Sequence, residues 1–256
     1  MITLALLLIA LPADAHKPAF GDYSSIDDPY FVEDPSISMV LYHEVTCESD
    51  QVWLQFNAEA GSDLYMQLGV PQLERLEDYQ PSLALIAPGL PALDDVPFDV
   101  PEGYGGYVFT AEDTPTPFYE PFTQTSSWIW VEETIALEIS GEAYVVGFHP
   151  GAQTGKIWVA LGTVEDFSDV GIDEFSTWGI EVGDFHETQG ERQITEEVCV
   201  DNTLDPTQDT PAAETGSAGC SHLAATTGIG WAGFLTLGLV ATMRREQHLV
   251  PVRVKS

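Results

Sequence analysis

From Ser38 onward the chain alternates apolar and polar residues with a period of two, in short runs closed by Gly, Pro or Asp. Successive strand side chains point to opposite faces, so this period marks β-structure. The pattern predicts strands over 38–45, 51–57, 63–68, 82–86, 107–110, 127–132, 134–139, 143–149, 156–161 and 178–182. Only 72–78 carries a helical signal, and it is short. Many short strands divided by turn residues predict an all-β exterior domain, a β-sandwich or jelly roll, over residues 37–200. Trp128 and Trp130 share one strand face by this period, and core packing is the usual reason for such a pair.

Two stretches break the pattern. Residues 16–36 are polar, with Asp27-Asp28-Pro29 and Glu33-Asp34-Pro35, and read as an extended acidic arm. Residues 71–126 hold nine prolines. They are expected to plug the open end of the sandwich. A groove lined by Tyr104, Phe118, Tyr119 and Phe122 is the alternative, since long ordered loops often carry function.

The ends carry a targeting signature. Met1–Leu11 has the length of a signal-peptide apolar core and is too short to span a bilayer. Ala13-Asp14-Ala15 puts small residues at positions −3 and −1 of a cleavage site, so 1–15 read as a signal peptide cut before His16. At the far end, Leu223–Met243 is 21 residues without a charge. Such a helix is about 31 Å long at ~1.5 Å per residue, which matches a hydrocarbon core of ~30 Å. Arg244 and Arg245 follow it, and basic residues just past a span stay cytoplasmic. The expected topology is a single-pass protein of the cell envelope, on the exterior face of a membrane with its N-terminus outside. Residues 201–219, rich in Asp, Thr, Pro, Ala, Gly and Ser, read as a flexible stalk, 220–245 as the transmembrane segment and 246–256 as a cytoplasmic tail.

Charge narrows the partners. Between the two expected cuts, 39 acidic residues stand against Lys17, Arg75, Lys156 and Arg192, a net charge near −35. That field repels phosphate backbones and anionic lipid, so nucleic acid is excluded as a partner. Cations, basic proteins or polysaccharide remain open. The acids are scattered among Trp, Tyr, Phe, Val and Ile, unlike an acidic disordered tail.

An exported chain meets an oxidising compartment. Cys47 and Cys199 stand near the two ends of the predicted domain, and Cys220 stands apart. We therefore pair Cys47 with Cys199, with two free or buried thiols as the alternative. Three cysteines without a CxxC do not make a zinc site.

Gly219-Cys220-Ser221, the Gly/Ala/Leu-rich span and Arg244-Arg245 together resemble a MYXO-CTERM sorting segment over about 217–245. That resemblance implies a dedicated sorting protease, processing near Cys220 and display at the cell surface. A permanent helix anchor is the alternative. A second resemblance covers roughly 50–162. The strand 51–56 with its Ala60-Gly61 turn, and the succession Gly141, Tyr144-Val145 and Trp158, resemble bacterial pre-peptidase C-terminal β-sandwiches. This implies a binding or stabilising accessory domain rather than an enzyme.

No Walker loop, GxGxxG, HExxH, GxSxG or Cys–His nucleophile pattern is present, and no cofactor is expected beyond the calcium and copper alternatives below. Three sites of chemistry are weighed against that background. A mature N-terminal His16 would bind copper through its α-amino group and ring, with His43, His149 or His186 as second ligand. Lytic polysaccharide monooxygenases use that arrangement, so a copper-dependent oxidase or monooxygenase is the enzyme alternative. Asp166, Asp169, Asp173 and Glu174 crowd one loop and would suit calcium, which takes six to eight oxygens. Trp53, Trp128, Trp130, Trp158 and Trp178 would serve a carbohydrate-binding module if they faced solvent. The leading expectation is a non-enzymatic surface-display domain with a binding or envelope role.

Overall fold

The computed structural model describes residues 16–192 and 194–199. Among these described residues eleven strands form two sheets. The strands are β1 (Lys17–Phe20), β2 (Tyr30–Val32), β3 (Met39–Val45), β4 (Gln51–Ala58), β5 (Asp63–Pro71), β6 (Ser82–Pro88), β7 (Tyr104–Thr110), β8 (Thr116–Glu120), β9 (Thr125–Ala136), β10 (Gly141–Phe148) and β11 (Gly155–Leu161). The six-stranded sheet runs β1-β3-β11-β5-β9-β8 and the five-stranded sheet β2-β4-β10-β6-β7. A 3-10 turn (Glu74–Leu76) follows β5, and a 14-residue helix α1 (Ile172–Phe185) follows β11.

The sheets pack face to face as a sandwich. Leu41, Met66, Leu68, Ile157 and Val159 of the first sheet meet Val52, Leu54, Phe56, Leu83 and Val145 of the second in the main core. Alternate residues on the same strands point outward, yet many are equally buried. Trp53, Ile86, Tyr144, Val146 and Phe148 lie under a loop bearing Leu93, Val96, Phe98 and Val100. Val40, Ile129, Trp158 and Ala160 lie beneath Phe118 of β8 and Phe185 of α1. Both outer faces are thus covered, which is why β10 and β11 read as nearly continuous apolar runs. The proline-rich stretch 71–126 covers these faces and adds strands, where an end plug was expected.

Four local differences from the sequence reading have physical causes. The strand expected over 178–182 is helix. Phe175, Trp178, Val182 and Phe185 recur at helical spacing, with Asp173 and Glu174 in the first turn, where carboxylates suit the helix dipole. The two strands expected over 127–139 are one 12-residue strand, β9, with an irregularity opposite Leu68 and Gly69. An extra residue there shifts the phase, so Trp130 and Val131 both reach the main core. Strand β8 contains Pro117 and pairs only with β9, the edge position that proline tolerates. Finally, the segment expected as an arm supplies two strands: β1 pairs in parallel with β3, and β2 with β4.

Among the described residues no helix is long and apolar enough to cross a membrane. The expected leader and stalk, Leu223–Met243, Cys220, Arg244 and Arg245 lie outside them.

Candidate functional site: a cationic seam and an aromatic crevice

The C-terminal end of α1 organises the site. The helix closes with the Thr188 N–H donating to the Gly183 carbonyl at 3.0 Å and the Glu187 N–H to that of Asp184 at 3.2 Å. This is a Schellman stop, whose left-handed position normally takes glycine. Here Glu187 occupies it at φ 55°. A non-glycine residue is disfavoured in that conformation by roughly 1–2 kcal/mol. The return is the placement of its carboxylate under the helix end.

That carboxylate gathers three of the four basic residues between 16 and 199. Arg75 donates to it through two nitrogens at 2.6 and 2.9 Å, Lys156 at 2.8 Å and Arg192 at 2.8 Å. Arg75 also reaches Glu196 at 2.6 Å and Glu191 at 3.2 Å, while Arg192 reaches Glu44 at 2.8 Å. The Lys156 ammonium donates to the Phe185 carbonyl at 2.7 Å, a cation against the negative end of the helix. The side chains of Lys156 and Glu187 are 3% and 2% exposed. Burial alone would raise the Glu187 carboxyl, but bonds from Arg75, Lys156 and Arg192 outweigh it and hold it well below the usual carboxylate range. Burial lowers the Lys156 ammonium, with Glu187 opposing. The fourth base, Lys17, pairs with Asp169. These contacts, with the Cys47–Cys199 disulfide at a Cα separation of 5.4 Å, fasten the segment after β11 onto the sandwich.

Beside this seam a narrow crevice opens between the outer face of the six-stranded sheet, the β8–β9 turn and α1. Its cavity volume is only about 30 Å³, room for roughly one or two waters. Tyr42, Trp158 and Phe118 form one wall, and Phe122 and Trp178 the other. The indole of Trp158 fits because Gly69 is its cross-strand partner; a Cβ at Gly69 would sit 2.0 Å from that ring. Trp158 Nε1 donates to Ser127 Oγ at 3.0 Å, and Ser127 Oγ lies 3.0 Å from His186 Nε2. His186 Nδ1 lies 2.9 Å from the Val182 carbonyl. One set of roles satisfies all of these: His186 is neutral, donates through Nδ1 to the carbonyl and accepts the Ser127 hydroxyl at Nε2. Burial pushes its pKa down to about 4. Glu120 stands in the same lining, its carboxylate fixed by the backbone N–H groups of Phe122 and Thr123 and by the Thr123 hydroxyl.

The sequence-predicted residues fall as follows. His16 lines the crevice with His186 and bonds through Nδ1 to Ser38 Oγ, but both His186 nitrogens are engaged as above. His43 Nε2 faces the Ser49 carbonyl at 3.1 Å, and His149 Nδ1 accepts from the Gly151 N–H at 3.1 Å. Asp166 accepts from the Ser168 N–H, Asp169 holds Lys17, and Asp173 lies in the first turn of α1. Among the described residues no group of three or more His, Cys, Asp or Glu side chains is placed to hold a metal ion. Trp53, Trp130 and Trp158 are buried, while Trp128 and Trp178 are half-buried. The pairing of Cys47 with Cys199 is present. The seam on Glu187 escaped the sequence reading, and of the four residues of the alternative groove Phe118 and Phe122 line the crevice whereas Tyr104 and Tyr119 do not. The clue to the seam was the scarcity of bases, since four cations among so many acids suggest dedicated positions.

The molecule is therefore a disulfide-closed two-sheet β-sandwich with both outer faces covered. No known protein family matches the chain. No curated protein matches it either. Among solved structures, the pre-peptidase C-terminal domain of a collagenase from Bacillus anthracis matches 51% of this chain and 91% of that domain, with 6% identity and a TM-score of 0.27. Its own strand order and shared core define this chain as a sandwich.

Proposed function

We propose that this protein is an extracytoplasmic, membrane-held display domain that binds or shields at the cell envelope and performs no catalysis. The observation that carries the reading is the Cys47–Cys199 disulfide, which spans 152 residues of sequence. Such bridges persist in oxidising compartments and are uncommon where glutathione keeps thiols reduced. It agrees with a cleavable leader before His16 and an apolar span before Arg244-Arg245. In this reading the MYXO-CTERM-like segment around Cys220 delivers the domain to the outer surface.

The distribution of charge supports a partner that is cationic or neutral. All four bases between 16 and 199 face carboxylates of the same chain, leaving an acidic exterior. The absence of a nucleophile motif from the sequence and the tied ring nitrogens of His186 support binding over turnover.

The test is protease shaving of intact host cells. The domain should be released from unbroken cells, with Cys47 and Cys199 refusing a thiol label until reduced. A chain that stays protected until lysis, with both thiols reactive, sinks the reading.

A further inference from the structure

We propose that the open edge of β7 is a docking site for an extended, basic-flanked segment of a partner protein, which adds to the five-stranded sheet as one more strand. This rests on the display-and-binding reading above and names the class of partner. Among the described residues the sandwich has four edge strands, β1 and β8 in one sheet and β2 and β7 in the other. Proteins blunt such edges with proline, lysine or very short strands, because unpaired amides and carbonyls recruit other chains. Three of the four are blunted in this way. Strand β1 carries Lys17 and Pro18, β8 carries Pro117, and β2 is three residues long. Strand β7 has seven residues with neither proline nor charge, in a chain that holds 41 acidic residues. Its Tyr107 and Val108 are 47% and 37% exposed.

The backbone defines what fits. The Gly106 N–H donates to the Pro91 carbonyl at 2.8 Å, so this amide points away from β6. Antiparallel strands alternate residues bonded to the neighbour with residues facing away, and the β6–β7 register runs without a shift. Val108 and Thr110 therefore turn their amides and carbonyls outward as Gly106 does, and no backbone bond from another described residue reaches them there. The loop at Pro91 occupies the edge at Gly106 and leaves 107–110 open. An added strand satisfies such a row directly.

Charge selects the strand. Glu102 precedes β7, Glu112 and Asp113 follow it, and all three are exposed. Each of the four bases between 16 and 199 is ion-paired elsewhere in the fold. A second copy of this chain would bring the same acids to the same edge. A segment with lysine or arginine on both sides of its strand meets opposite charge at both ends of the open run.

The test uses the full-length chain in non-ionic detergent and a fluorescent peptide of five alternating valines and threonines with two lysines at each end, followed by anisotropy. The peptide should bind saturably. The same peptide with glutamates in place of the lysines, and the same peptide N-methylated at every central amide, should each bind about tenfold more weakly or worse. Val108→Pro deletes an outward N–H, at a place where an edge strand accepts proline. Val108→Lys keeps that amide and sets a repelling charge beside the incoming lysines. Each should weaken peptide binding about tenfold with the thermal midpoint near that of the parent. If Val108→Pro does not fold, Val108→Lys decides alone. Absence of binding overturns the proposal, and so does undiminished binding of the N-methylated or the glutamate peptide. Binding that Val108→Lys leaves unchanged also overturns it, because the peptide would then sit elsewhere on the acidic surface. Self-association of the parent that Val108→Lys disperses would give the edge to a second copy and overturn it too. None of these readouts depends on where the cell places the protein. Failure of surface display would sink the previous reading and leave this result intact.

Discussion

Glu187 receives the Arg75 guanidinium through both carboxylate oxygens, at 2.6 and 2.9 Å, from a residue 112 positions earlier in the chain. The bidentate geometry sets an angle as well as a distance, so it fixes the strap after α1 against the turn after β5.

Removing the charge at Glu187 should therefore cost more than one hydrogen bond. Glu187→Gln leaves Arg75, Lys156 and Arg192 crowded without their common anion. Breaking a buried pair from one side typically destabilises by about 3–5 kcal/mol. Glu187→Gly separates two effects, since it relieves the left-handed backbone while still deleting the carboxylate. Urea denaturation should rank the variants parent, then both substitutions well below, with Gly no worse than Gln. A parent-like midpoint for Glu187→Gln would show the seam to be decorative.

Acid should weaken the fold through His186. Its folded pKa, pushed down to about 4 by burial, lies below its ordinary 6.5. Between those values the unfolded chain holds a proton that the folded chain lacks. The contribution is complete above about pH 6.5 and is lost as pH falls toward 4. Protonation of surface carboxylates relieves self-repulsion below that range and acts in the opposite direction. The clean readout is thus a difference: the stability of the parent should fall more steeply from pH 6.5 to 4.5 than that of His186→Gln. Parallel curves would assign the acid response to other groups.

Reduction of Cys47–Cys199, or Cys199→Ala, should lower stability by up to about 5 kcal/mol in the chain-entropy treatment of so long a loop. Limited proteolysis of the reduced protein should cut within residues 186–199 before it cuts the sheets. Simultaneous cleavage throughout would mean that the sandwich and its strap unfold as one.

Gly69→Ala tests the floor of the crevice. The added methyl would collide with the Trp158 indole, and overpacking of this kind costs about 1–3 kcal/mol. Fluorescence of the variant should report a displaced Trp158. An unchanged spectrum and melting temperature would mean that the ring has room the structure does not give it.

Strand positions were legible because one face of every central strand enters a continuous core. Even where both faces are buried, Val52, Leu54 and Phe56 keep the period that sets Trp53 apart. The helix was misread because Trp178 to Val182 alternates locally; its 3.6-residue period emerges only when Phe175 and Phe185 are included. Strands β1, β2 and β8 are short edges, where tertiary pairing outweighs a weak local pattern. The crevice was less legible still. Phe118 and Phe122 stood out as aromatic residues of the proline-rich stretch, but nothing local ties them to Trp158 and Trp178. That meeting is made by β8 pairing with β9 and α1 folding back over the sheet.

The neighbours of β3 also impose an order in time. Its parallel partner β1 precedes it by about twenty residues, whereas its antiparallel partner β11 arrives more than a hundred residues later. A chain released from its N-terminus holds the apolar edge of β3 open until nearly the whole domain has emerged. Non-local closure of this kind is slow. The interval before β11 docks is thus when this protein most needs a chaperone.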